Sequence, residues 1–265
     1  MPKYLFAFLL VPLIFVGCST NNVTVDNSLQ KYFDSAGVKG TFGLFDNGQG
    51  RFTIYDLARF RDSGFAPGAT LDILGSLIAL QSGAALNDTS VIFTSILHPG
   101  TFRTLKDIFQ GTAGPQGTVG LVSKIGKDSL KKWVDSLRYG NRDLNGFDSL
   151  EIDKHLRITA DEQLGLIKKL YFDQLPFFQH TQQSVREMFV KESNSNYLIA
   201  YKTSKTMTRE GKINAWIMGW EEENKHPYFF VLNFETRDWG MDVPTVGLQL
   251  VKKTLAPMGF FAGKK

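Results

Sequence analysis

The first half of the chain shows two different spacings of hydrophobic and polar residues. Residues 41–46 and 51–55 alternate as strands do, and they flank the turn-forming pair Asn47-Gly48. Strands joined by this pair form β-hairpins, because the two central residues of the turn tolerate positive φ. Residues 29–33 have the spacing of a short helix before this hairpin.

A nearly continuous apolar stretch follows the hairpin at residues 71–82. It begins after Pro67-Gly68 and ends at Gly83, and proline near the start and glycine at the end are typical of a helix. We therefore predict a buried helix over residues 71–82.

The second half changes from a helical pattern to a strand-like one. Between about residues 102 and 190 apolar side chains recur at helical spacing. Three strands and a last helix are predicted at residues 197–203, 212–220, 228–233 and 246–257. Early strands, a helical middle and late strands predict a mixed α/β (α+β) fold, in which N- and C-terminal strands form one antiparallel sheet flanked by helices.

The first residues have the pattern of a secretion signal. Lys3 precedes an apolar run over residues 4–16, which is shorter than the roughly 20 residues of a membrane-spanning helix. Gly17-Cys18-Ser19 follows and resembles a bacterial lipobox, so we expect cleavage before Cys18 and lipid attachment to it. An ordinary signal peptide with an incidental cysteine is the alternative.

These signals divide the chain into three parts. We expect a signal peptide at 1–17, a tether at 18–27 and one domain at 28–265. The mature protein is then secreted across the inner membrane and faces the periplasm on a lipid anchor. Ser19 after the cysteine indicates the outer membrane.

Composition removes several function classes. The chain has 43% hydrophobic and 21% charged residues, which is typical of a globular domain. Its net charge of +4 is scattered, whereas a nucleic-acid binder concentrates basic residues, so no nucleic-acid partner is expected. Cys18 is the only cysteine, and no metal or other cofactor is expected because the histidines are isolated: His98, His155, His180 and His226.

Several short motifs follow one another in a specific order. They are Pro67-Gly68-Ala69-Thr70-Leu71-Asp72, Tyr139-Gly140-Asn141, Leu156-Arg157-Ile158-Thr159, Lys202-Thr203-Ser204 and Trp216-Ile217-Met218-Gly219-Trp220. In order and spacing they resemble the motifs of the class D (oxacillinase-type) serine β-lactamases, over about residues 28–262. The resemblance implies the fold of penicillin-recognising serine enzymes.

The residues that carry the chemistry of that family are replaced. Ala69 stands where the family has its nucleophilic serine, and Asp72 stands where it has the lysine base, which often carries a carbamate. Alanine has no nucleophilic atom, so covalent catalysis at this position is impossible. The aspartate side chain is several bonds shorter than the lysine carbamate.

Other family positions differ as well. The Ser-x-Val motif falls at Thr112-Ala113-Gly114, where the Thr112 hydroxyl is kept. Glu151 stands at the tryptophan that orients the carbamate, and Ser204 replaces the glycine of Lys-Thr-Gly. The arginine that pairs with the carboxylate of the drug aligns roughly with Gly247, near Gln249.

The resemblance and these differences predict a catalytically incompetent homologue. A backbone N–H at Ala69 is expected to remain as an oxyanion-hole donor, because it does not depend on the side chain. Thr112, Lys202 and Thr203 are expected to give weak noncovalent binding of a β-lactam or a peptidoglycan stem peptide. Two alternatives stay open: an active β-lactamase with another nucleophile, for which Ser204 is the candidate, and an inactivated relative without residual function.

Overall fold

The computed structural model describes residues 22–94, 100–114, 116–147 and 152–265. The predicted signal peptide, Cys18, His98 and Glu151 lie outside the described residues. The strands are β1 Val23–Val25, β2 Lys39–Asp46, β3 Arg51–Tyr55, β4 Val91–Thr94, β5 Phe102–Thr104, β6 Val190–Ser193, β7 Leu198–Met207, β8 Ile213–Glu223 and β9 His226–Thr236. The helices are α1 Gln30–Ser35, α2 Leu57–Asp62, α3 Leu71–Ser82, α4 Leu105–Phe109, α5 Gln116–Ile125, α6 Lys127–Leu137, α7 Ala160–Tyr171, α8 Gln179–Met188 and α9 Val243–Leu255.

The central sheet joins the two ends of the chain. Its strand order is β1-β3-β2-β9-β8-β7-β6, and β4 pairs with β5 in a separate hairpin. β2 and β9 pair antiparallel from Lys39 opposite Glu235 to Asp46 opposite Tyr228. This pairing confirms the prediction that early and late strands share one mainly antiparallel sheet.

Helices cover both faces of this sheet. Side chains on β8 alternate between the faces, so Trp216 and Met218 join the larger apolar cluster with α3 and α7, whereas Ala215 and Ile217 join a second cluster with α1 and α9. α3 is buried from Leu71 to Ala79, and only its last three residues are partly or fully exposed. A helix that is apolar all round is expected to lie inside the protein, and α3 therefore forms the centre of the larger cluster.

Two elements differ from the sequence-based expectations. Residues 23–25, which were expected in the tether, form the edge strand β1 parallel to β3, with hydrogen bonds from Phe52 N to Asn22 O (2.7 Å) and from Asp26 N to Ile54 O (2.8 Å). The alternating Val-Thr-Val sequence favours a strand wherever an open sheet edge is available. The middle of the chain also contains β5, so it is not entirely helical.

The helix predictions are otherwise close to the structure. α3 has the predicted bounds and ends at Gly83, whose φ of 77° is in the left-handed region that glycine adopts without strain. α9 starts three residues earlier than expected, because Asp242 caps it through Thr245 N and Pro244 lies in its first turn. Among the described residues, none of the helices has the length and apolarity of a membrane span.

Two buried carboxyl groups lie at the end of β8. Glu223 accepts hydrogen bonds from the backbone N–H groups of Lys264 (2.9 Å) and Lys265 (3.1 Å). No described group meets full hydrogen-bond geometry to either Glu221 oxygen, although the Glu223 carboxyl group interacts with this side chain. Burial and the neighbouring Glu223 raise the pKa of Glu221 to about 9.

Glu221 should make the stability of the protein depend on pH. The unfolded chain loses this proton near pH 4.3, whereas the folded chain keeps it until pH about 9, so the stabilising contribution is complete below about pH 4.3 and is lost as the pH rises to about 9. Glu221→Gln removes the titration. We expect the variant to be more stable than wild type in urea unfolding at pH 8.5, with the difference shrinking at pH 5. Exposed Glu187 gives the control Glu187→Gln, which should follow wild type. Parallel pH profiles for Glu221→Gln and wild type would contradict the assignment.

Candidate functional site

The start of α3 meets β7 at the site that the sequence predicts. A 3-10 turn, Gly68–Thr70, leads into α3, and it faces the part of β7 that β6 leaves unpaired, because β6 pairs only with Leu198–Tyr201. Ala69 contacts Ser204, and Asp72 contacts Lys202, where these two elements meet.

The side chain of Ser204 is hydrogen-bonded to the backbone N–H of Ala69. Its Oγ accepts a hydrogen bond from Ala69 N at 2.8 Å and donates one to Pro67 O at 3.0 Å. This arrangement corrects the expectation that the Ala69 N–H is available to an oxyanion. Both partners of Ser204 Oγ among the described residues are backbone groups, so no side-chain base contacts this hydroxyl.

Gly68 makes this close approach possible. Its φ is 52°, and a Cβ atom built on it would lie 2.4 Å from Ser204 Oγ and 2.3 Å from Thr206 Cγ2. Its N–H donates to Asp153 Oδ1 at 3.0 Å. Only glycine fits at this position. The backbone N–H groups of both Gly68 and Ala69 are therefore already bonded within the protein.

Asp72 and Lys202 form a buried ion pair. Lys202 Nζ lies 3.2 Å from Asp72 Oδ2, and the two side chains are 2% and 1% exposed. Lys202 Nζ also donates to the carbonyl of Phe109 and lies 4.5 Å from the centre of its ring. The positive charge expected to attract a ligand carboxylate is therefore compensated inside the protein.

The environment of this pair shifts the pKa of each group. Burial raises the pKa of Asp72, although Lys202 and the Thr118 hydroxyl act in the opposite direction. Burial lowers the pKa of Lys202, and Asp72 opposes that shift. No described group reaches Asp72 Oδ1 with full hydrogen-bond geometry, since the Thr118 interaction falls short of it.

Thr112 is not part of this group. Its side chain is exposed and its hydroxyl donates to the backbone oxygen of Asp107 at 3.1 Å. The hydroxyl near Asp72 belongs instead to Thr118, in α5, which packs against α3. No local pattern indicated Thr118, because its position depends on how α5 packs.

A loop at residues 152–157 closes the opposite side. Half-buried Asp153 accepts a hydrogen bond from the Gly68 N–H, and burial raises the pKa of the Asp153 carboxyl group. Arg157 donates to the backbone oxygens of Asp153 (2.7 Å) and Lys154 (3.1 Å), and Arg209 donates to Lys154 O at 3.2 Å. Asp153 and Arg209 were not predicted to take part.

An open cleft of about 940 Å³ lies between these elements. Its lining includes Thr203 and the apolar side chains Phe65, Val119, Val122, Phe147, Ile152 and Met207. The cleft has the size of a small-molecule site. Gly247 has no side chain to pair with a ligand carboxylate, and a larger residue would be crowded there, since a Cβ would lie 2.1 Å from Ile217 Cδ1. Gln249, the nearest polar residue in the sequence, is exposed.

The described residues hold no group of three or more His, Cys, Asp or Glu side chains that fits a metal ion. The chemistry that the site offers is therefore that of hydroxyls, carboxyl groups and amines. Ser204 Oγ, Lys202 Nζ and Asp72 Oδ2 are engaged with one another or with the backbone at the start of α3, whereas Asp72 Oδ1 lacks a hydrogen-bond partner among the described residues.

Comparisons with known proteins agree with this geometry. The penicillin binding protein transpeptidase domain matches residues 30–253. β-Lactamase OXA-3 of Pseudomonas aeruginosa is 30% identical over 215 residues, which is 78% of this chain and 76% of that enzyme. Regulatory protein BlaR1 of Bacillus licheniformis is 27% identical over 231 residues, 84% of this chain but only 38% of that protein's length.

Solved structures share the fold. The C-terminal domain of the Bacillus licheniformis BlaR penicillin-receptor superposes with a TM-score of 0.80 at 22% identity, covering 91% of this chain and 98% of that domain. The class D β-lactamase YbXI from Nostoc gives a TM-score of 0.78 at 24% identity, covering 88% and 99%. The chain therefore belongs to the penicillin-binding protein transpeptidase family, among its class D β-lactamase and penicillin-receptor-like members.

Proposed function

We propose that this chain is a catalytically incompetent class D β-lactamase homologue that binds ligands noncovalently in its cleft. The observation that carries the proposal is the start of α3. Ala69 has no nucleophilic atom there, and its backbone N–H already donates a hydrogen bond to the Ser204 hydroxyl. In subtilisin, an unrelated serine enzyme, loss of the nucleophile alone lowers turnover by about 10⁶-fold.

The ion pair between Asp72, at the family's base position, and Lys202 supports the same conclusion. A general base must reach the proton that it removes and must have a free lone pair. Lys202 is instead bonded to Asp72 and to the Phe109 carbonyl, and burial hides both charges from the cleft. The pair stabilises the junction of α3 and β7, and the one oxygen of the pair without a hydrogen-bond partner among the described residues, Asp72 Oδ1, is itself buried.

The candidate ligands are β-lactams or peptidoglycan stem peptides, bound weakly. A structural relative is described as a penicillin-receptor, and binding without hydrolysis suits a chain that keeps the cleft but has lost the nucleophile. A role as a binding or scaffold protein of the cell envelope follows. An inactivated relative without function would bind no such ligand.

The alternative function is an active serine β-lactamase that uses Ser204. The hydroxyl donates to Pro67 O, and no described side-chain base contacts it. Activation of a serine needs such a base, so the contacts favour the binding protein.

The absence of acylation is the main test. Intact mass spectrometry after incubation with a fluorescent penicillin should show no adduct on wild type, and Ala69→Ser alone should stay nearly inert because Asp72 is a poor base. Ala69→Ser with Asp72→Lys and Ser204→Gly should acylate faster than the first two changes together, since Ser204→Gly frees the backbone N–H of residue 69. Residues that act as one unit give such nonadditive effects.

Turnover of that triple variant should stay poor, because Glu151 stands at the position of the carbamate-orienting tryptophan. Adding Glu151→Trp should raise turnover more in this background than in wild type. A wild-type adduct that disappears in Ser204→Ala would contradict the proposal and would identify Ser204 as the nucleophile.

The ion pair should be structural. Lys202→Met leaves the buried Asp72 carboxylate without its cation, and we expect a loss of about 3–5 kcal/mol in the free energy of unfolding near pH 7. Asp72→Asn with Lys202→Met should lose less than the sum of the single changes. Lys131→Met is the control, because Lys131 pairs with Asp135 at 2.8 Å on the surface, where such pairs contribute about 0.3–0.5 kcal/mol. Equal losses for the Lys202 and Lys131 variants in urea unfolding would refute a structural role.

We also propose that the mature protein is a lipoprotein that faces the periplasm, anchored through Cys18. The support is the lipobox-like Gly17-Cys18-Ser19 after a charged start and an apolar run. Labelled palmitate should enter the wild-type protein in cells, and Cys18→Ala should abolish the labelling. Labelling that persists in Cys18→Ala would exclude the anchor.

A further inference from the structure

We propose that the floor of the cleft, formed by Gly68, Ala69 and Ser204, selects ligands that place an uncharged group against it and disfavours carboxylates. The inference rests on the proposed binding function and specifies its ligand class. Two features could recognise an anion here, the lysine behind this floor and the backbone N–H groups within it, and both are already engaged inside the protein.

The first such feature is the lysine of β7. A cation attracts a ligand carboxylate only when its charge is uncompensated and accessible. Lys202 has a carboxylate partner at 3.2 Å and is 2% exposed. An entering carboxylate would have to compete with Asp72 and would meet that negative charge.

The second feature is the pair of backbone N–H groups before α3. Such groups at the start of a helix bind anions when they are free. Ala69 N is bonded to Ser204 Oγ at 2.8 Å, and Gly68 N is bonded to the Asp153 carboxyl group at 3.0 Å. Because Asp153 takes the place of an anion there, a second carboxylate at this point would meet repulsion instead of attraction.

The apolar part of the cleft lining favours an uncharged ligand group for a separate reason. Part of the lining consists of the apolar side chains named above, which are half-buried or buried apart from exposed Met207, and the rest includes glycines and polar and charged residues. Burying a charge against such a surface without a partner is costly. The lining also contains basic residues, among them exposed Lys205, which donates to the carbonyl oxygens of Trp239 (3.2 Å) and Met241 (3.3 Å), and exposed Arg209, which donates to Lys154 O. Their attraction for anions has to be screened in any test.

Penicillin G and its methyl ester make a matched pair of probes, because they differ at one group only, which is an anionic carboxylate in the acid and an uncharged methyl ester in the other. We would measure both dissociation constants for the full chain by calorimetry in 0.5 M salt, where the Debye length is about 4 Å and exposed charges interact weakly. We expect the ester to bind wild type at least fivefold more tightly than the acid.

Variants should change this preference in a defined direction. Ser204→Gly frees the Ala69 N–H and should reduce the ester preference at least twofold, and Asp72→Asn with Ser204→Gly also uncovers the Lys202 charge and should reverse it. The single variant keeps the test decisive if the double variant does not fold. Asp135→Asn removes one exposed carboxylate elsewhere and should keep the wild-type ratio.

The outcomes separate the two proposals. Equal affinities, or tighter binding of the acid to wild type, would overturn the neutral-floor inference while leaving noncovalent binding intact. An unchanged ratio in Ser204→Gly would overturn it as well. Failure of both probes to bind at millimolar concentration would count against the proposed binding function, and the inference would fall with it.

Discussion

The buried ion pair between Asp72 and Lys202 constrains the whole region around α3. Neither charge is stable alone at such a depth, because removing water from an ion costs several kcal/mol that only a well-placed partner offsets. The pair therefore fixes the distance between α3 and β7, and the Phe109 carbonyl on Lys202 extends the constraint to α4. A serine enzyme of this fold keeps a base free to exchange protons at this point. In this chain the same space is occupied by two groups that satisfy each other.

The contacts at the start of α3 follow the same pattern. With alanine at residue 69, the backbone N–H has no developing oxyanion to stabilise, and the Ser204 hydroxyl bonds it instead. Gly68 permits this contact because any larger residue would overlap Ser204 and Thr206. Asp153 holds the preceding N–H from the other side of the cleft. Three substitutions that look independent in the sequence thus come together at one place: residues 69 and 204 are bonded to each other, and Asp72 is bonded to the neighbouring Lys202.

Sequence patterns predicted the elements better than the contacts. Periodicity and turn residues gave the hairpin of β2 and β3, the bounds of α3 and the strands that close the sheet, because local spacing determines those features. β1 was missed because a three-residue strand exists only where a neighbouring edge accepts it. The Ser204–Ala69 hydrogen bond joins residues 135 positions apart, and the choice of Thr118 over Thr112 depends on how α5 packs. Neither has a local signature, so motif alignment placed the right segments but not their bonds.

The cleft persists because other residues hold its shape. The carbonyl of Ala66, just before the turn into α3, accepts hydrogen bonds from Trp216 Nε1 (2.8 Å) and Asn214 Nδ2 (3.0 Å). Asn233 donates to Asn214 Oδ1 at 2.8 Å, and Arg59 donates to Asn233 Oδ1 at 2.9 Å while stacking on Phe65. None of these residues stands at the family's nucleophile or base position. A network of this kind can keep its geometry while the reactive residues change, since a fold does not determine the chemistry placed on it. The scaffold that aligns a serine and a lysine in a β-lactamase here positions an alanine and an aspartate. Recognition in the cleft then depends on the groups that are not already bonded within the protein.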